Sequence, residues 1–187
     1  MHVHHRSTCR LCDSPNVRLA VKLDPIPLAE NYALSREEAR ATPRFPVDLY
    51  MCADCGHVQQ LDVVDAGALW SRYTYFSGDA KGMPEHFAAT ASRIMKEFPV
   101  PEDALVVDIG SNDGSLLAPF QRAGLRVLGV DPAETAAAKA NSRGIPTLVA
   151  PMSLELAKRI REEHGAAHVV CMFNAFAHMD NLREMLD

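Results

Sequence analysis

The segment Asp108-Ile109-Gly110-Ser111-Asn112-Asp113-Gly114 decides the fold, because its glycines and acids lie between two apolar runs. Residues 104–107 precede it as Ala-Leu-Val-Val, and a helical pattern follows over 115–123. The second apolar run, 127–130, ends in Asp131. A strand, a glycine loop, a helix and a strand closing on an acid are typical of nucleoside binding in a parallel sheet, where the acid accepts hydrogen bonds from a ribose. The sequence therefore predicts a nucleoside-type cofactor.

The glycine spacing bears on which cofactor binds. A dinucleotide loop reads Gly-x-Gly-x-x-Gly, whereas this loop has only Gly110 and Gly114, with Asn112 at the middle position. Its two aspartates would repel a diphosphate and attract a cationic amino-acid ligand. The spacing resembles the Asp-x-Gly-x-x-x-Gly motif of class I methyltransferases, which implies S-adenosylmethionine as the cofactor and Asp131 as its ribose-binding acid. A tight turn without a ligand and a nicotinamide cofactor are the alternatives.

Composition limits the class of protein. The chain has 187 residues, of which 48% are hydrophobic and 23% charged, as in ordinary globular proteins. No apolar run approaches the roughly 18 residues of a membrane span, and the N-terminus has no signal-peptide core. The net charge is −5 and the basic residues are dispersed, which is unlike a surface that binds nucleic acid. We predict a cytoplasmic protein with neither a nucleic-acid nor a membrane partner.

Two Cys-x-x-Cys pairs, Cys9/Cys12 and Cys52/Cys55, precede this region. Each pair can hold a metal from one tight knuckle, and two pairs complete a tetrahedral Cys₄ zinc site. Gly56 can adopt the left-handed conformation that such a knuckle often requires. Disulfides are the main alternative, and a cytoplasmic location counts against them. Because four thiolates leave no position open for water or substrate, we predict that the zinc is structural.

The residues around the cysteine pairs support a small lobe that folds with its metal. The stretch 13–51 is rich in proline and has little periodicity beyond a short helical pattern at 35–41. His57 alternates with Val58 in a predicted strand, and we interpret it as a surface residue rather than a ligand. Cys171 stands alone in an apolar strand and is predicted to be a core residue.

The remaining chain predicts alternating elements. The segment 69–78, rich in aromatic residues, could cap a substrate cleft, although packing between domains is the favoured interpretation. Strands are predicted at 104–110, 126–131, 146–150 and 168–174, and helices at 83–98, 114–123, 133–142 and 153–164, with another beginning near Asp180. Such alternation predicts an α/β fold with a parallel sheet.

The order of these features predicts three domains or segments. A zinc-binding domain at 1–65 is followed by an aromatic linker and helix at 66–102. The first half of a Rossmann-like cofactor domain follows at 103–187, because four strands make only half of a doubly wound sheet. We therefore expect a fragment of a longer enzyme.

An ordered set of motifs over nearly the whole chain resembles one family, the sugar C-methyltransferases that act on nucleotide-linked keto-deoxysugars in antibiotic and surface-polysaccharide pathways. The matching segments are Cys9–Cys12, Pro27–Asn31, Phe45–Leu49, Cys52–Gln59, Tyr73–Gly78, Asp108–Gly114 and Asn174–His178. The resemblance implies a class I methyltransferase domain preceded by a Cys₄ zinc domain, with S-adenosylmethionine and Zn²⁺ as cofactors.

The resemblance also implies a reaction and its residues. A methyl group would pass from S-adenosylmethionine to a carbon next to the ketone of a dTDP-linked 4-keto-deoxysugar, with Tyr75 and His178 facing the sugar. The implied cofactor-binding residues are Asp108, Gly110, Asn112, Gly114, Asp131 and Asn174. A later Tyr-x-Glu-His motif and a C-terminal domain of the family are missing from these residues, so the chain alone is expected to show no turnover.

Two other functions stay open at this point. One is a ribosomal RNA methyltransferase with a zinc ribbon, against which the acidic balance counts, as does the absence of an Asn-Pro-Pro-aromatic segment at 174–177. The other is a non-catalytic module that binds the cofactor. The oligomeric state is not determined by the sequence, and a monomer is the expectation.

Overall fold

The computed structural model describes residues 3–30, 32–70 and 73–186. They form two compact units: residues up to 72 together with 179–187, called here the cysteine unit, and Tyr73–His178, called the sheet unit. Three residues of the sequence motifs, Asn31, Ser71 and Arg72, lie outside the described residues. The domain boundaries predicted after residues 65 and 102 stay a prediction, because spatial grouping need not follow domain limits along the chain.

The cysteine unit contains two small antiparallel sheets. Strand β1 (Val3–His5) pairs with β5 (Asp62–Val64). Strands β2 (Val17–Val21), β3 (Leu49–Cys52) and β4 (Val58–Gln59) form the other sheet in that order. The strand predicted around His57 and Val58 is therefore the short edge strand β4, which begins at Val58 and leaves His57 just outside it.

Two short helices complete the cysteine unit, α1 (Arg36–Ala41) and α2 (Ala66–Trp70). The predicted helix at 35–41 is confirmed, and an N-cap at Ser35, with a further hydrogen bond to Glu38, explains where it begins. The hydroxyl of Ser35 accepts from the backbone N–H of Glu38 at 3.1 Å, and the Glu38 carboxylate accepts from the backbone N–H of Leu34 at 2.8 Å.

The sheet unit contains four parallel strands, as predicted. They are β6 (Leu105–Ile109), β7 (Arg126–Asp131), β8 (Thr147–Val149) and β9 (Val169–Cys171). Their order across the sheet is β8-β7-β6-β9. Strands β7 and β8 therefore lie on one side of β6, and β9 lies on the other side. In open α/β sheets, ligands bind at the carboxyl ends of the strands where the strand order changes sides in this way.

Helices pack on this sheet at the predicted places. They are α3 (Met83–Glu97), α4 (Leu117–Arg122), α5 (Glu134–Ser142) and α6 (Leu154–His164), and 3₁₀ turns occur at Ser77–Asp79 and Phe176–His178. Pro84 is tolerated in the first turn of α3, where its missing N–H costs nothing. The core is formed by apolar residues of β6, α3 and α4, among them Val106, Phe87 and Phe120.

The helix predicted to begin near Asp180 is the one element that differs. The described residues there form turns: the N–H of Met185 donates to the carbonyl of Asn181 at 3.3 Å, and that of Leu186 to the carbonyl of Arg183 at 2.9 Å. A single i,i+4 bond closes one turn, so the described residues up to 186 form turns rather than a helix. Among the described residues, no helix has the length and apolar character that crossing a membrane requires.

Candidate cofactor loop and metal centre

The four paired cysteines meet in one cluster. The Sγ atoms of Cys9, Cys12, Cys52 and Cys55 all lie within 4.8 Å of one another, and none is in a disulfide. The Cys9–Cys55 and Cys12–Cys52 sulfur pairs are each 3.7 Å apart. A tetrahedral ion with Zn–S bonds of about 2.3 Å requires sulfurs about 3.8 Å apart. The cluster thus fits zinc with four thiolate ligands.

The two knuckles have the same backbone hydrogen bonds. In the first, Cys9 accepts from the N–H of Asp13 at 2.8 Å and donates to the carbonyl of Ser14 at 2.9 Å. In the second, Cys52 accepts from the N–H of Gly56 at 3.0 Å and donates to the carbonyl of His57 at 2.9 Å. The fourth residue after the first cysteine is left-handed in both, with φ of 57° at Asp13 and 74° at Gly56. Asp13 is therefore the counterpart of Gly56, which the sequence analysis missed.

The thiols of the cluster do not ionise alike. Burial opposes ionisation of Cys9, but backbone hydrogen bonds from Cys12 and Leu11, with help from Gln59 and Cys55, lower its pKa to about 6. A backbone bond from Ser14 favours the Cys12 thiolate, yet the neighbouring sulfurs and burial raise its pKa to about 12. Crowded sulfurs that cannot all be charged are a set that a divalent cation would stabilise.

His57 is not part of the cluster. Its ring is half-buried, and His57 is absent from the group of four potential ligands in the described chain. The favoured interpretation as a non-ligand therefore agrees with the geometry, and its backbone carbonyl closes the second knuckle.

The loop that follows β6 requires glycine at two positions. Gly110 and Gly114 have φ of 74° and 76°, in the left-handed region. A Cβ on Gly110 would lie 2.6 Å from the Cβ of Ala175, and one on Gly114 would lie 2.9 Å from the Cγ2 of Ile145. Both glycines of the motif are therefore needed for conformation and for space.

The close approach of Gly110 and Ala175 connects the loop after β6 with the segment after β9, the neighbouring strand. Ala175 belongs to the segment after β9, where Asn174 is left-handed with φ of 53°. The N–H of His178 donates to the carbonyl of Ala175 at 3.0 Å, so His178 lies one turn beyond this contact, with an exposed side chain. The direct roles of Asn174 and His178 stay predictions.

Residues 73–79, called here the aromatic segment, include most of the aromatic-rich stretch and are hydrogen-bonded to the loop residue Asn112. The Asn112 side chain donates to the carbonyl of Tyr75 at 3.0 Å and accepts from the N–H of Ser77 at 2.9 Å. Within the sheet unit, the segment therefore contacts the cofactor loop, and the Tyr75 side chain is 37% exposed. The Asn112 amide already holds this segment, and its contact with the cofactor stays a prediction.

Helix α5 holds the other end of the segment. The hydroxyl of Thr135 donates to the carbonyl of Tyr73 at 3.1 Å. The Lys139 ammonium lies 4.1 Å from the centre of the Phe76 ring and 2.9 Å from Asp79 Oδ1. A cation–π contact and an ion pair therefore fix the segment against α5.

Asp113 has a different role from the one that the sequence suggested. Its carboxylate is fully buried and lies 3.1 Å from Arg143 Nη1 and 3.7 Å from Lys139 Nζ. It also accepts from the hydroxyl of Ser115 at 2.6 Å and from the N–H of Gly78 at 3.2 Å. Because Arg143 and Lys139 lie beside it, Asp113 offers less net charge for repelling a diphosphate than the sequence alone predicts.

The acids that remain beside the loop are Asp108 and Asp131. Asp131 accepts from the N–H of Asn112 and from that of Ala133, both at 2.8 Å. Burial raises the pKa of Asp131, against the effect of these two bonds. A carboxylate offers about four acceptor positions, so two remain for the predicted ribose hydroxyls. The loop therefore fits a nucleoside, with Asp131 as the acceptor for its ribose.

Known proteins resemble this chain over the same two regions. Residues 9–70 match a family described as "Putative zinc binding domain", and residues 82–187 match one described as "Methyltransferase domain". The C-methyltransferase NovU of Streptomyces niveus is 32% identical over 179 residues, which cover 96% of this chain and 43% of NovU. The chain thus spans less than half the length of this relative.

Solved structures give partial overlaps. The magnesium protoporphyrin IX methyltransferase of Synechocystis PCC 6803 with bound SAM aligns with a TM-score of 0.40 at 19% identity, over 52% of this chain and 47% of that one. AibC aligns with a TM-score of 0.38 at 18% identity, over 91% and 50%. Overlaps of this kind do not bear on function.

The match of the methyltransferase family covers more than half of the chain, and with the parallel sheet and the glycine loop it places this protein in the class I methyltransferase family, whose cofactor is S-adenosylmethionine.

Proposed function

We propose that the protein is part of a C-methyltransferase that acts on the carbon next to the ketone of a dTDP-linked 4-keto-deoxysugar. The relationship to NovU, named as a C-methyltransferase, supports the C-methyl part of this proposal. The sugar nucleotide comes from the motif resemblance and is the finer part of the proposal.

The observation that carries the proposal is the arrangement around the loop. Gly110 touches the segment that leads to His178, and Asn112 is bonded to the backbone of Tyr75. Two segments with side chains suited to acid–base chemistry therefore border the loop of the methyl donor. Such a placement is what methyl transfer to a carbon requires, because the base must act close to the incoming methyl group.

The chemistry assigns a task to each of these residues. The proton on a carbon next to a ketone is acidified by the carbonyl, so a base removes it while hydrogen-bond donors stabilise the enolate. When bound, S-adenosylmethionine supplies the electrophilic methyl group. In this proposal, His178 and the hydroxyl of Tyr75 hold or move protons at the sugar, and Asp131 orients the donor through its ribose.

The cysteine cluster does not take part in the transfer. Four thiolate ligands leave no coordination position for a substrate, so the zinc would hold the cysteine unit in its fold. The sugar site therefore depends on the zinc only through the structure that the metal supports.

Donor binding tests the first half of the proposal. We expect the chain to bind S-adenosylmethionine in calorimetry and Gly110→Ala to abolish this binding, because the new methyl group would meet Ala175. Gly124→Ala is the matched control: its φ is 88°, yet no atom lies within 4 Å of the added Cβ. Tighter binding of NADH than of S-adenosylmethionine would contradict the assignment of the donor.

Transfer to an acceptor tests the second half and is measured on the longest protein that the gene encodes. With a methyl-labelled donor and a dTDP-linked 4-keto-deoxysugar, NMR should locate the label on the carbon next to the ketone. His178→Ala and Tyr75→Phe should each lower kcat by about 10²–10⁴-fold and leave donor affinity within about twofold. Label on RNA rather than on the sugar would favour the ribosomal RNA alternative, and a loss of donor affinity alone would place His178 in the donor site.

A further inference from the structure

Asp108 is a buried acid whose acceptor capacity the protein does not use. It lies on the central strand β6, opposite Gly129 of β7 on one side and Cys171 of β9 on the other. The residue is 3% exposed, and its Oδ1 has no hydrogen-bond partner among the residues that the structure describes. Buried side-chain oxygens are nearly always hydrogen-bonded, so this orphan oxygen points to a partner that the protein itself does not supply.

The groups that face Asp108 do not stabilise a negative charge. Asp131, on β7, is the acid whose charge acts against ionisation of Asp108. Cys171, on β9, is a thiol whose pKa rises to about 12, because of burial and then because of Asp108. Helices α3 and α4 contribute apolar side chains to the core on this face, among them Phe87 and Leu117. No Arg, Lys or His in the described ranges lies within ion-pair distance of Asp108.

The two acids beside the loop are unequal as anions. Asp131 accepts two backbone hydrogen bonds, whereas the orphan oxygen of Asp108 accepts none. Burial raises the pKa of Asp108 well above its ordinary value, and the charge of Asp131 raises it further. When two acids interact in a dry site, the better-solvated one keeps the charge and the other keeps the proton.

We propose that Asp108 is a neutral carboxylic acid when the loop holds no ligand and that it releases its proton to solvent when the cationic methyl donor binds. This inference rests on the proposed function, because the donor supplies the positive charge. The O–H bond of the carboxyl group breaks, the electron pair stays on the oxygen, and the proton passes to the buffer. The resulting carboxylate is then compensated by the ammonium or sulfonium charge of the ligand.

Proton release makes donor affinity depend on pH. If one proton leaves for each donor bound, Kd falls about tenfold for each unit of pH between the pKa of Asp108 in the complex and its pKa in the free protein. A ligand without a cation, such as adenosine, gains no such benefit. Asp108 would therefore be a specificity residue that favours the charged donor.

Calorimetry in two buffers of different ionisation enthalpy measures the release directly. The pH should be varied from the ordinary pKa of an aspartate, about 3.9, up to about 7, below the range in which an α-amino group titrates. We expect proton release to rise to about one per S-adenosylmethionine bound within this range, and none to occur with adenosine. Asp108→Asn should bind without release, whereas Asp103→Asn should behave as wild type, because Asp103 is an exposed aspartate just before β6.

Infrared spectroscopy supplies a second readout that does not depend on how well the Asp108→Asn variant binds. The ligand-free protein should show the carbonyl band of a protonated carboxyl group, which the variant lacks and which disappears when the donor binds. Donor binding without proton release and without this band would overturn the inference and leave the proposed function standing. Equal proton release with adenosine would overturn the role of the cation, and failure to bind the donor at all would overturn both proposals.

Discussion

The cysteine unit and the sheet unit are held together in different ways. The buried apolar residues that the structure describes in the cysteine unit are few, and they include two of the metal-site thiols: Cys9, Phe45, Cys52, Leu61 and Leu182. The sheet unit instead has a larger apolar core, with members on three of its strands, β6, β7 and β9, and on helices α3, α4 and α5. Because small cores rarely stabilise a fold alone, the first unit should depend on its metal and the second should not.

This difference separates what each unit can contribute to function. A unit that folds around a closed metal site offers a shape, whereas the sheet unit offers a loop with unsatisfied acceptors at the carboxyl ends of its strands. We therefore expect the proposed methyl transfer to depend directly on the sheet unit and only indirectly on the metal.

The largest expected effect comes from removing one metal ligand. Cys52→Ser should unfold the cysteine unit, because binding of structural zinc contributes about 10–16 kcal/mol at pH 7 in small zinc domains. The amide NMR signals of β2, β3 and β4 should collapse while those of β6 and β7 stay in place. Elemental analysis should find about one zinc per chain in the wild type and a marked loss in the variant.

Cys171→Ala is the control for this change. It also removes a buried thiol, but from the core of the sheet unit, so zinc content should be unchanged. If the wild-type cysteine unit is folded without metal, or if chelation unfolds both units together, the two units do not differ in the way described.

The second effect concerns the buried acid that ties the aromatic segment to the loop. Asp113→Ala should lower the free energy of unfolding of the sheet unit by about 2–3 kcal/mol, because it removes charge-assisted hydrogen bonds to a fully buried carboxylate. Urea unfolding followed by the NMR signals of β7 measures the loss, and hydrogen exchange at Gly78 should become faster.

Asp79→Ala is the matched control, since Asp79 pairs with the same Lys139 from a side chain that is 67% exposed. Its cost should be below about 1 kcal/mol, as for other surface ion pairs. Equal costs for the two substitutions would show that burial of Asp113 does not decide its contribution.

The parts that the sequence predicted correctly have a local or periodic signal. The parallel strands follow from apolar runs, and the cysteine cluster follows from the Cys-x-x-Cys spacing. Asp113 could not be assigned in this way, because its partner Arg143 lies 30 residues away, where no periodicity connects them. Asp13 could have been found, because it stands four residues after Cys9 as Gly56 does after Cys52.

The contacts of the aromatic segment lacked any such signal. The bonds from Asn112 to Tyr75 and Ser77 span 37 and 35 residues and depend on how the chain turns in space. The sequence favoured packing between domains for this segment, and the structure has it against the cofactor loop and α5 of the sheet unit. Tertiary packing decided this location.

The smallest expected effect is a difference between the two units in the direction in which stability changes with pH. In the cysteine unit, hydrogen bonds from Ser14 and then Asn16 lower the pKa of Asp54, so the stability that Asp54 contributes is present near neutral pH and is lost as pH falls through its folded pKa. In the sheet unit, burial raises the pKa of Asp108 and that of Asp131. The folded unit then binds more protons than the unfolded chain, so their contribution is greatest in acid.

This contribution of Asp108 is lost as pH rises from the ordinary pKa of an aspartate, about 3.9, through the raised value in the folded protein. The slope is at most about 1.4 kcal/mol per pH unit for one group. Urea titrations of the zinc-loaded protein at several pH values, followed by the NMR signals of β7 amides, measure how the stability of the sheet unit depends on pH.

Relative to wild type, Asp108→Asn should gain stability as pH rises, because an amide does not ionise in the buried site. Asp103→Asn, which alters an exposed acid, should follow the wild type at every pH. A constant difference between Asp108→Asn and wild type across the whole range would mean that Asp108 ionises at its ordinary pKa, and the pH dependence of the sheet unit would then rest on Asp131.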